Sequence, residues 1–154
     1  MRNFGDFHEL KSALGAEIGV SDWIEITQDR INRFAEATCD EQWIHVDEKR
    51  AAREMPSGRT IAHGLLSLAL APMYIRSVIG VKGLTTTLNY GANKIRFLAP
   101  VPVGSRLRGR VSILEAVDVP PDALRVIYKL TVELEGSERP ACVAELIGQH
   151  YRSL

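Results

Sequence analysis

The sequence predicts an α+β fold in which an antiparallel sheet packs against one apolar helix. Residues 31–38 repeat apolar side chains at helical spacing, and a long apolar run extends from Ala62 to about Gly80. Four segments that are expected to be strands follow, at 85–97, 106–117, 124–134 and 141–151, and apolar and polar residues alternate in the second and the third. Helices followed by consecutive strands are typical of an α+β domain. At 154 residues, the chain 1–154 is expected to form a single domain.

The amino-terminal third predicts three helices and one strand. A short helix is expected from Asp6 to about residue 13, closed by a glycine at position 15, and a strand at residues 21–27. Thr27 can cap the next helix, whose first turn carries Asp29 and which should end near Cys39. A loop over 40–45 and a short helix over 46–53 are expected next.

The apolar run between residues 62 and 80 predicts a helix that is buried on nearly every face. Pro72 lies inside it and is expected to bend the helix or to leave one carbonyl unpaired. In the first long strand, Gly91 predicts a β-bulge.

The segment from Asp40 to His45 contains a candidate acid and a candidate base. On a continuous helix, two side chains five residues apart would diverge by about 140°, so a break after Cys39 is needed for both to face one point. A carboxylate and a neutral imidazole that reach the same water form a general acid/base pair. His63 and Gly64 then open the apolar helix, whose first N–H groups can stabilise a developing negative charge.

Three motifs in this order resemble a known family. FAEATCDEQWIHVD is similar to the hydratase signature of the MaoC-like (R)-specific enoyl-CoA hydratases. IAHGLLSLAL and NYGANKIRFLAPVPVGSRLRG resemble the nodulation-protein-N-like branch, and the likeness covers about residues 21–117. The signature has Gly, Asn and Pro where this chain has Cys39, Gln42 and Trp43. Some relatives have a serine where this chain has Pro72, so no role is carried over to that position.

The resemblance implies a hot-dog fold and the reversible hydration of trans-2-enoyl thioesters to (R)-3-hydroxyacyl thioesters, without a cofactor or a metal. It assigns Asp40 and His45 to one shared water, with the roles of acid and base left open. The backbone N–H of Gly64 would donate to the thioester oxygen, and His63 would hold the loop in place.

Five further residues are weaker candidates for substrate binding. Gln42 would hydrogen-bond the site loop or the substrate. Asn93 would either support the site or form a bulge in its strand. Arg59, Lys94 and Arg96 would either meet the phosphates of coenzyme A or be ordinary solvated charges.

Composition excludes several classes of function. Nineteen basic and nineteen acidic residues cancel, which argues against nucleic acids and anionic membranes as partners. The apolar run is interrupted by His63, Pro72 and Arg76, and the amino terminus lacks a signal-peptide pattern, so a cytoplasmic protein is expected. Cys39 and Cys142 match no metal-ligand spacing, and the carboxylate beside Cys39 disfavours a nucleophilic thiolate there.

Two alternatives remain open at this point. A hot-dog thioesterase would aim the activated water at the thioester carbonyl, and a non-catalytic acyl-binding subunit of a dehydratase complex would not activate water. The resemblance further implies a homodimer, with either coenzyme A or acyl carrier protein as the acyl carrier.

Overall fold

The computed structural model describes residues 1–152. Its helices are α1 Phe7–Ser12, α2 Gln28–Thr38, α3 Trp43–Val46, α4 Glu48–Glu54, α5 Gly64–Ala69 and α6 Ala71–Val78. Its strands are β1 Arg2–Phe4, β2 Glu17–Val20, β3 Ile24–Glu25, β4 Ile79–Val81, β5 Thr86–Phe97, β6 Arg106–Val119, β7 Ala123–Leu134 and β8 Cys142–Tyr151. None of the helices in the described residues is both long enough and apolar enough to cross a membrane.

The main sheet is antiparallel, with the strand order β2-β6-β7-β8-β5 and with β3 also paired to β6. Strands β6 and β7 confirm the alternation in the sequence, since one face of each strand is buried in the core. These buried residues are Leu107, Val111, Ile113, Leu124, Val126, Tyr128, Leu130 and Val132. The expected bulge is present too, as the β5–β8 register shifts between Asn89 and Gly91.

Helix α6 packs against β6 through Tyr74, whose side chain is fully buried. Gly109 on β6 makes this approach possible, because a Cβ there would lie 2.5 Å from the Tyr74 Cβ. The helix–sheet contact therefore depends on a residue without a side chain.

The expected single helix over 62–80 is wrong in two respects. The structure has two helices, α5 and α6, which meet at Leu70. Pro72 lies in the first turn of α6, where its missing N–H leaves no helical hydrogen bond unmade, so it begins a helix instead of bending one. The helices are also not buried all round, because Ala69 is exposed and Leu65 is 59% exposed.

The expected strand over 21–27 is shortened to Ile24–Glu25, because Ser21 instead bonds Gly109 through both its N–H and its hydroxyl. Strand β2 and the parallel β1–β4 pair were not predicted. Segments of three or four residues are too short to show alternation, and their partners lie far away in sequence.

The boundaries around the motif also differ from the prediction. His45 lies in α3, a single helical turn, and not in a loop. The helix expected over 46–53 begins after Asp47, whose carboxylate accepts a hydrogen bond from the Arg50 N–H. The Thr27 cap of α2 is confirmed, since its hydroxyl accepts from the Arg30 N–H at 3.3 Å.

Candidate active site

Asp40 leaves the end of α2 through a left-handed turn at Cys39, where φ is 55° and ψ is 29°. The Asp40 N–H donates back to the Ala35 carbonyl at 3.1 Å and closes this turn. The hydratase signature has glycine at the position of Cys39, and the positive φ gives the physical reason. An L-residue other than glycine pays about 1–2 kcal/mol in this conformation.

His45 is buried and held from two sides. Its Nδ1 lies 2.7 Å from the Ile61 carbonyl oxygen. A carbonyl can only accept, so Nδ1 carries the proton and Nε2 keeps a free lone pair. The His45 main-chain oxygen accepts from Gln28 Nε2 at 2.8 Å, and the Thr60 hydroxyl donates to Gln28 Oε1 at 2.5 Å. Sequence reasoning missed Gln28 and Thr60, and nothing local in the sequence distinguishes them.

His63 links the loop of Asp40 to the start of α5. Its Nε2 lies 2.9 Å from the Asp40 main-chain oxygen and 3.9 Å from the Asp40 carboxylate oxygen Oδ2. The His63 ring stacks on His45, with centroids 3.7 Å apart and an interplanar angle of 26°. One ligand atom each from Asp40, His45 and His63 lies within 4.8 Å of the others. The five-residue spacing therefore does bring the acid and the imidazole together.

The same three side chains are the ones that would hold a metal ion, but their geometry suits proton transfer better. Hydrogen bonds already engage His45 Nδ1 and His63 Nε2. Each of the two stacked rings therefore has one nitrogen left for a further partner. A carboxylate beside a buried neutral imidazole is the arrangement of a general acid/base pair.

The pKa of His45 lies below the usual imidazole range. Burial is the main cause, because it disfavours the charged ring. The neighbouring His63 lowers this pKa further, whereas the Ile61 carbonyl and the Asp40 carboxylate oppose the shift. His45 is therefore neutral near pH 7 and can accept a proton.

A cavity of about 240 Å³ lies beside the imidazole and the beginning of α5. Its lining includes His45, Ile61, Gly64, Ser67 and Phe97. A Cβ on Gly64 would come within 2.8 Å of the Phe97 ring, so glycine is needed for the ring to approach the helix. The Gly64 N–H belongs to the first helical turn, where N–H groups have no partner within the helix.

Ser67 is a site residue that sequence reasoning missed. It lies one turn after Gly64 and lines the same cavity. Its side chain is 1% exposed, and Oγ has no hydrogen-bond partner in the described part of the chain. A buried hydroxyl left unpaired costs about 1–3 kcal/mol of folding free energy, and a ligand that accepts a hydrogen bond from Oγ would offset this cost. In the sequence it is a serine within an apolar segment, which does not by itself indicate a site.

Of the five weaker candidates for substrate binding, one lies at the site and four lie away from it. Gln42 Nε2 lies 3.4 Å from Asp40 Oδ1 and so touches the site. Arg59, Asn93, Lys94 and Arg96 do not line the cavity of His45.

The polar ends of three of these four residues already have partners. Arg59 donates to the Val103 carbonyl at 3.1 Å, and Arg96 donates to the carbonyl of its neighbour Ile95 at 2.7 Å. Lys94 pairs with Glu145 at 2.7 Å. Asn93 lies where the β5–β8 register shifts, which matches the bulge alternative. A contact between the cations and coenzyme A phosphates stays a prediction.

A second cavity of about 640 Å³ lies between α5–α6 and the strands β5 and β8. Its walls are mostly apolar and include Leu68, Pro72, Ile75, Ile79 and Leu146. Ser67 lines the small cavity and its neighbour Leu68 lines the large one, so both cavities border α5.

Comparison with known proteins gives consistent matches. A family model described as "MaoC like domain" matches residues 9–132. The chain is 50% identical over 147 residues to 3-hydroxyacyl-thioester dehydratase Z of Mycobacterium tuberculosis, covering 96% of this chain and 97% of the relative. It is 43% identical over 140 residues to nodulation protein N of Rhizobium leguminosarum bv. viciae, covering 90% and 87%.

Solved structures confirm the expected hot-dog fold. The unliganded R-hydratase PhaJ1 from Pseudomonas aeruginosa is similar with a TM-score of 0.68 and 25% identity, covering 93% of this chain and 83% of that one. The (R)-hydratase from A. caviae involved in PHA biosynthesis has a TM-score of 0.69 at 19% identity, covering 86% and 94%.

Proposed function

The chain belongs to the family of MaoC-like domains, and on that premise we propose that it is an (R)-specific enoyl-CoA hydratase. It is an enzyme of the hydratase and 3-hydroxyacyl-thioester dehydratase class. The observation that carries the specific proposal is the cluster of Asp40, His45 and His63 within 4.8 Å, next to a cavity that Gly64 and Ser67 line.

In the proposed mechanism, one water lies between the Asp40 carboxylate and His45 Nε2. The water oxygen attacks C3 of the trans-2-enoyl thioester while Nε2 takes a water proton. The imidazolium then returns this proton to C2, so water adds across the double bond and the enzyme is unchanged. Asp40 orients the water and offsets the transient charge on His45.

The thioester oxygen gains negative charge during this attack. The Gly64 N–H and the Ser67 hydroxyl border the cavity next to His45, and they are the donors that we assign to this oxygen. Ser67 fits this role because its buried hydroxyl has no other partner among the described residues.

We place the acyl chain in the larger cavity. It would pass from Ser67 to Leu68 along α5 and continue along α6. At a helical rise of about 1.5 Å per residue, the eight residues of α6 alone border about 12 Å of this path. A path of this length suits a medium or long acyl chain, carried by coenzyme A or acyl carrier protein.

The test follows the fate of a short trans-2-enoyl-CoA. We expect its conjugated ultraviolet absorbance to fall without release of free thiol. The product should be oxidised only by a 3-hydroxyacyl-CoA dehydrogenase specific for the (R) form, and a saturated acyl-CoA of equal length should stay intact. Thiol release from the saturated substrate would favour the thioesterase, and binding without turnover would favour the non-catalytic subunit.

We also propose that the functional unit is a homodimer paired through the β5 edge. Among the strands of residues 1–152, β5 is hydrogen-bonded only to β8, so its other edge is open, and an open edge favours pairing with another strand. Three large apolar residues on β5 are 47–58% exposed: Leu88, Tyr90 and Phe97. Sedimentation should give a dimer at micromolar concentration, and a stable monomer would contradict this arrangement.

A further inference from the structure

A chain of three polar side chains crosses the sheet beside the larger cavity. The Tyr128 hydroxyl lies 2.6 Å from His150 Nε2, and the Thr87 hydroxyl lies 2.9 Å from His150 Nδ1. Tyr128 and His150 are 1% and 3% exposed, whereas Thr87 on β5 is exposed. Gly148 leaves room for the pair, since a Cβ there would lie 3.3 Å from both His150 and Tyr128.

The groups available to donate and accept determine the direction of these two hydrogen bonds. Burial lowers the pKa of His150 to about 4, so the ring is neutral and has one N–H. Tyr128 has no other acceptor among the described residues, so its O–H donates to Nε2. Nδ1 then carries the proton and donates to Thr87 Oγ1. The Thr87 hydroxyl hydrogen is left without a partner.

The opposite direction is less favourable. If Thr87 donated to Nδ1 and Nε2–H donated to Tyr128, the phenolic hydrogen would be buried without an acceptor. Such a loss costs about 1–3 kcal/mol, whereas the exposed Thr87 hydroxyl can be solvated. The chain therefore ends in a hydrogen-bond donor at Thr87.

This donor faces the far part of the larger cavity. Thr87, Tyr128 and His150 line it together with Ile79 and Leu84. Thr87 lies near the start of β5 and Phe97, which lines the small cavity with Ser67, lies at its end, so Thr87 is at the end remote from Ser67. Arg76 and Asn89 also line this cavity, so its otherwise apolar wall carries a local polar patch. An alkyl terminus bound there would remove water from the Thr87 hydroxyl without replacing the hydrogen bond.

We propose that Thr87, oriented by His150 and Tyr128, forms a polar subsite that selects acyl chains with a hydrogen-bond-accepting oxygen near their distal end. A keto or hydroxyl oxygen would accept from the Thr87 hydroxyl while the preceding methylenes lie against Ile75 and Leu146. The substrate class is thus a distally oxygenated enoyl thioester. This inference rests on the proposed function only in placing the acyl chain in this cavity.

The test measures binding, so that it does not depend on turnover. Saturated acyl-CoA ligands are prepared in pairs of equal length over a range of lengths, one ending in an alkyl group and the other in a methyl ketone. Calorimetry gives the ratio of their Kd values for the wild type, Thr87→Val, Thr87→Ser and Thr86→Val. Thr86→Val makes the same chemical change one residue away, at a position that does not line the cavity.

At the chain lengths that reach Thr87, the wild type should bind the ketone more tightly by about two- to tenfold, the usual worth of one neutral hydrogen bond. Thr87→Val should bring this ratio close to one, Thr87→Ser should retain it, and Thr86→Val should leave it unchanged. Equal binding of each pair by the wild type at all lengths would overturn the proposal. So would an unchanged ratio in Thr87→Val. Hydration of a short enoyl-CoA is measured separately, so failure of the subsite and failure of the proposed function are distinguishable.

Discussion

Replacing Asp40 by asparagine is the cleanest test of the proposed acid/base pair. The Asp40 side chain is 44% exposed, and its weak contact with Gln42 is 3.4 Å long, so little of the fold depends on its charge. The expected change in the free energy of unfolding is within about 0.5 kcal/mol, as for most exposed positions. The main-chain carbonyl that meets His63 is unaffected by the substitution.

Activity should respond very differently from stability. Asp40→Asn removes the charge that offsets the imidazolium of His45 and so weakens the general base, whose full worth is about 10²–10⁴-fold; kcat for hydration of a trans-2-enoyl-CoA should fall by a factor in that range. His45→Gln should fall similarly, and the double variant should be little worse than either single one, because both groups act on one water. The assay is the loss of enoyl absorbance, with chemical denaturation on the same samples.

Glu41→Gln is the matched control, since it removes one negative charge from the neighbouring exposed residue. It should keep nearly full activity. If Asp40→Asn retained more than half of the activity, or if Glu41→Gln lost as much, the assignment of Asp40 would be wrong.

Three further predictions concern His45, Ser67 and His150. The acid limb of the kcat/KM profile should lie below pH 6.5, because the lowered pKa of His45 keeps the base neutral until the pH falls through it; a limb above pH 6.5 would contradict this. Ser67→Ala should lower kcat about tenfold or more in turnover assays, because it removes a donor to the oxyanion. Thermal unfolding should show no loss of stability, because the hydroxyl that it removes is buried and unpaired. The pKa of His150 near 4 in the folded protein lies about 2.5 below the ordinary imidazole value, so the unfolded chain binds a proton between pH 6.5 and 4 that the folded protein does not. At about 1.36 kcal/mol per pKa unit, His150 should cost the wild type about 3 kcal/mol of unfolding free energy over this pH range, and the His150→Gln variant should lose less. Equal losses of the two proteins in denaturant titrations would refute the buried neutral state of His150.

The proximity of Asp40 and His45 was predictable because the residues that produce it are local. The Thr27 cap and the helical spacing after it place the end of α2 near Cys39, and Asp40 and His45 lie within the next six residues. The break that brings them together is a left-handed residue, where the hydratase signature has glycine.

What the sequence could not show depends on distant contacts. Ser67 looks like any serine in a helix until the neighbouring Phe97 and His45 enclose it in a cavity. The division of the apolar segment at Leu70 was equally hidden, since a proline suits both a bend and a helix start. Thr87 and His150 are 63 residues apart and meet only through the β5–β8 register.

The same exposed apolar residues explain why the helix is not buried on every face and why we propose a homodimer. An apolar residue is placed where it loses water, whichever chain covers it. Leu65 on α5 is 59% exposed in the single chain. Phe97 and Tyr90 on the open edge strand are 47% and 58% exposed. In the proposed homodimer, the apolar pattern of the sequence would describe burial in the assembled protein, and the part that one copy leaves exposed would be the surface that a second copy covers.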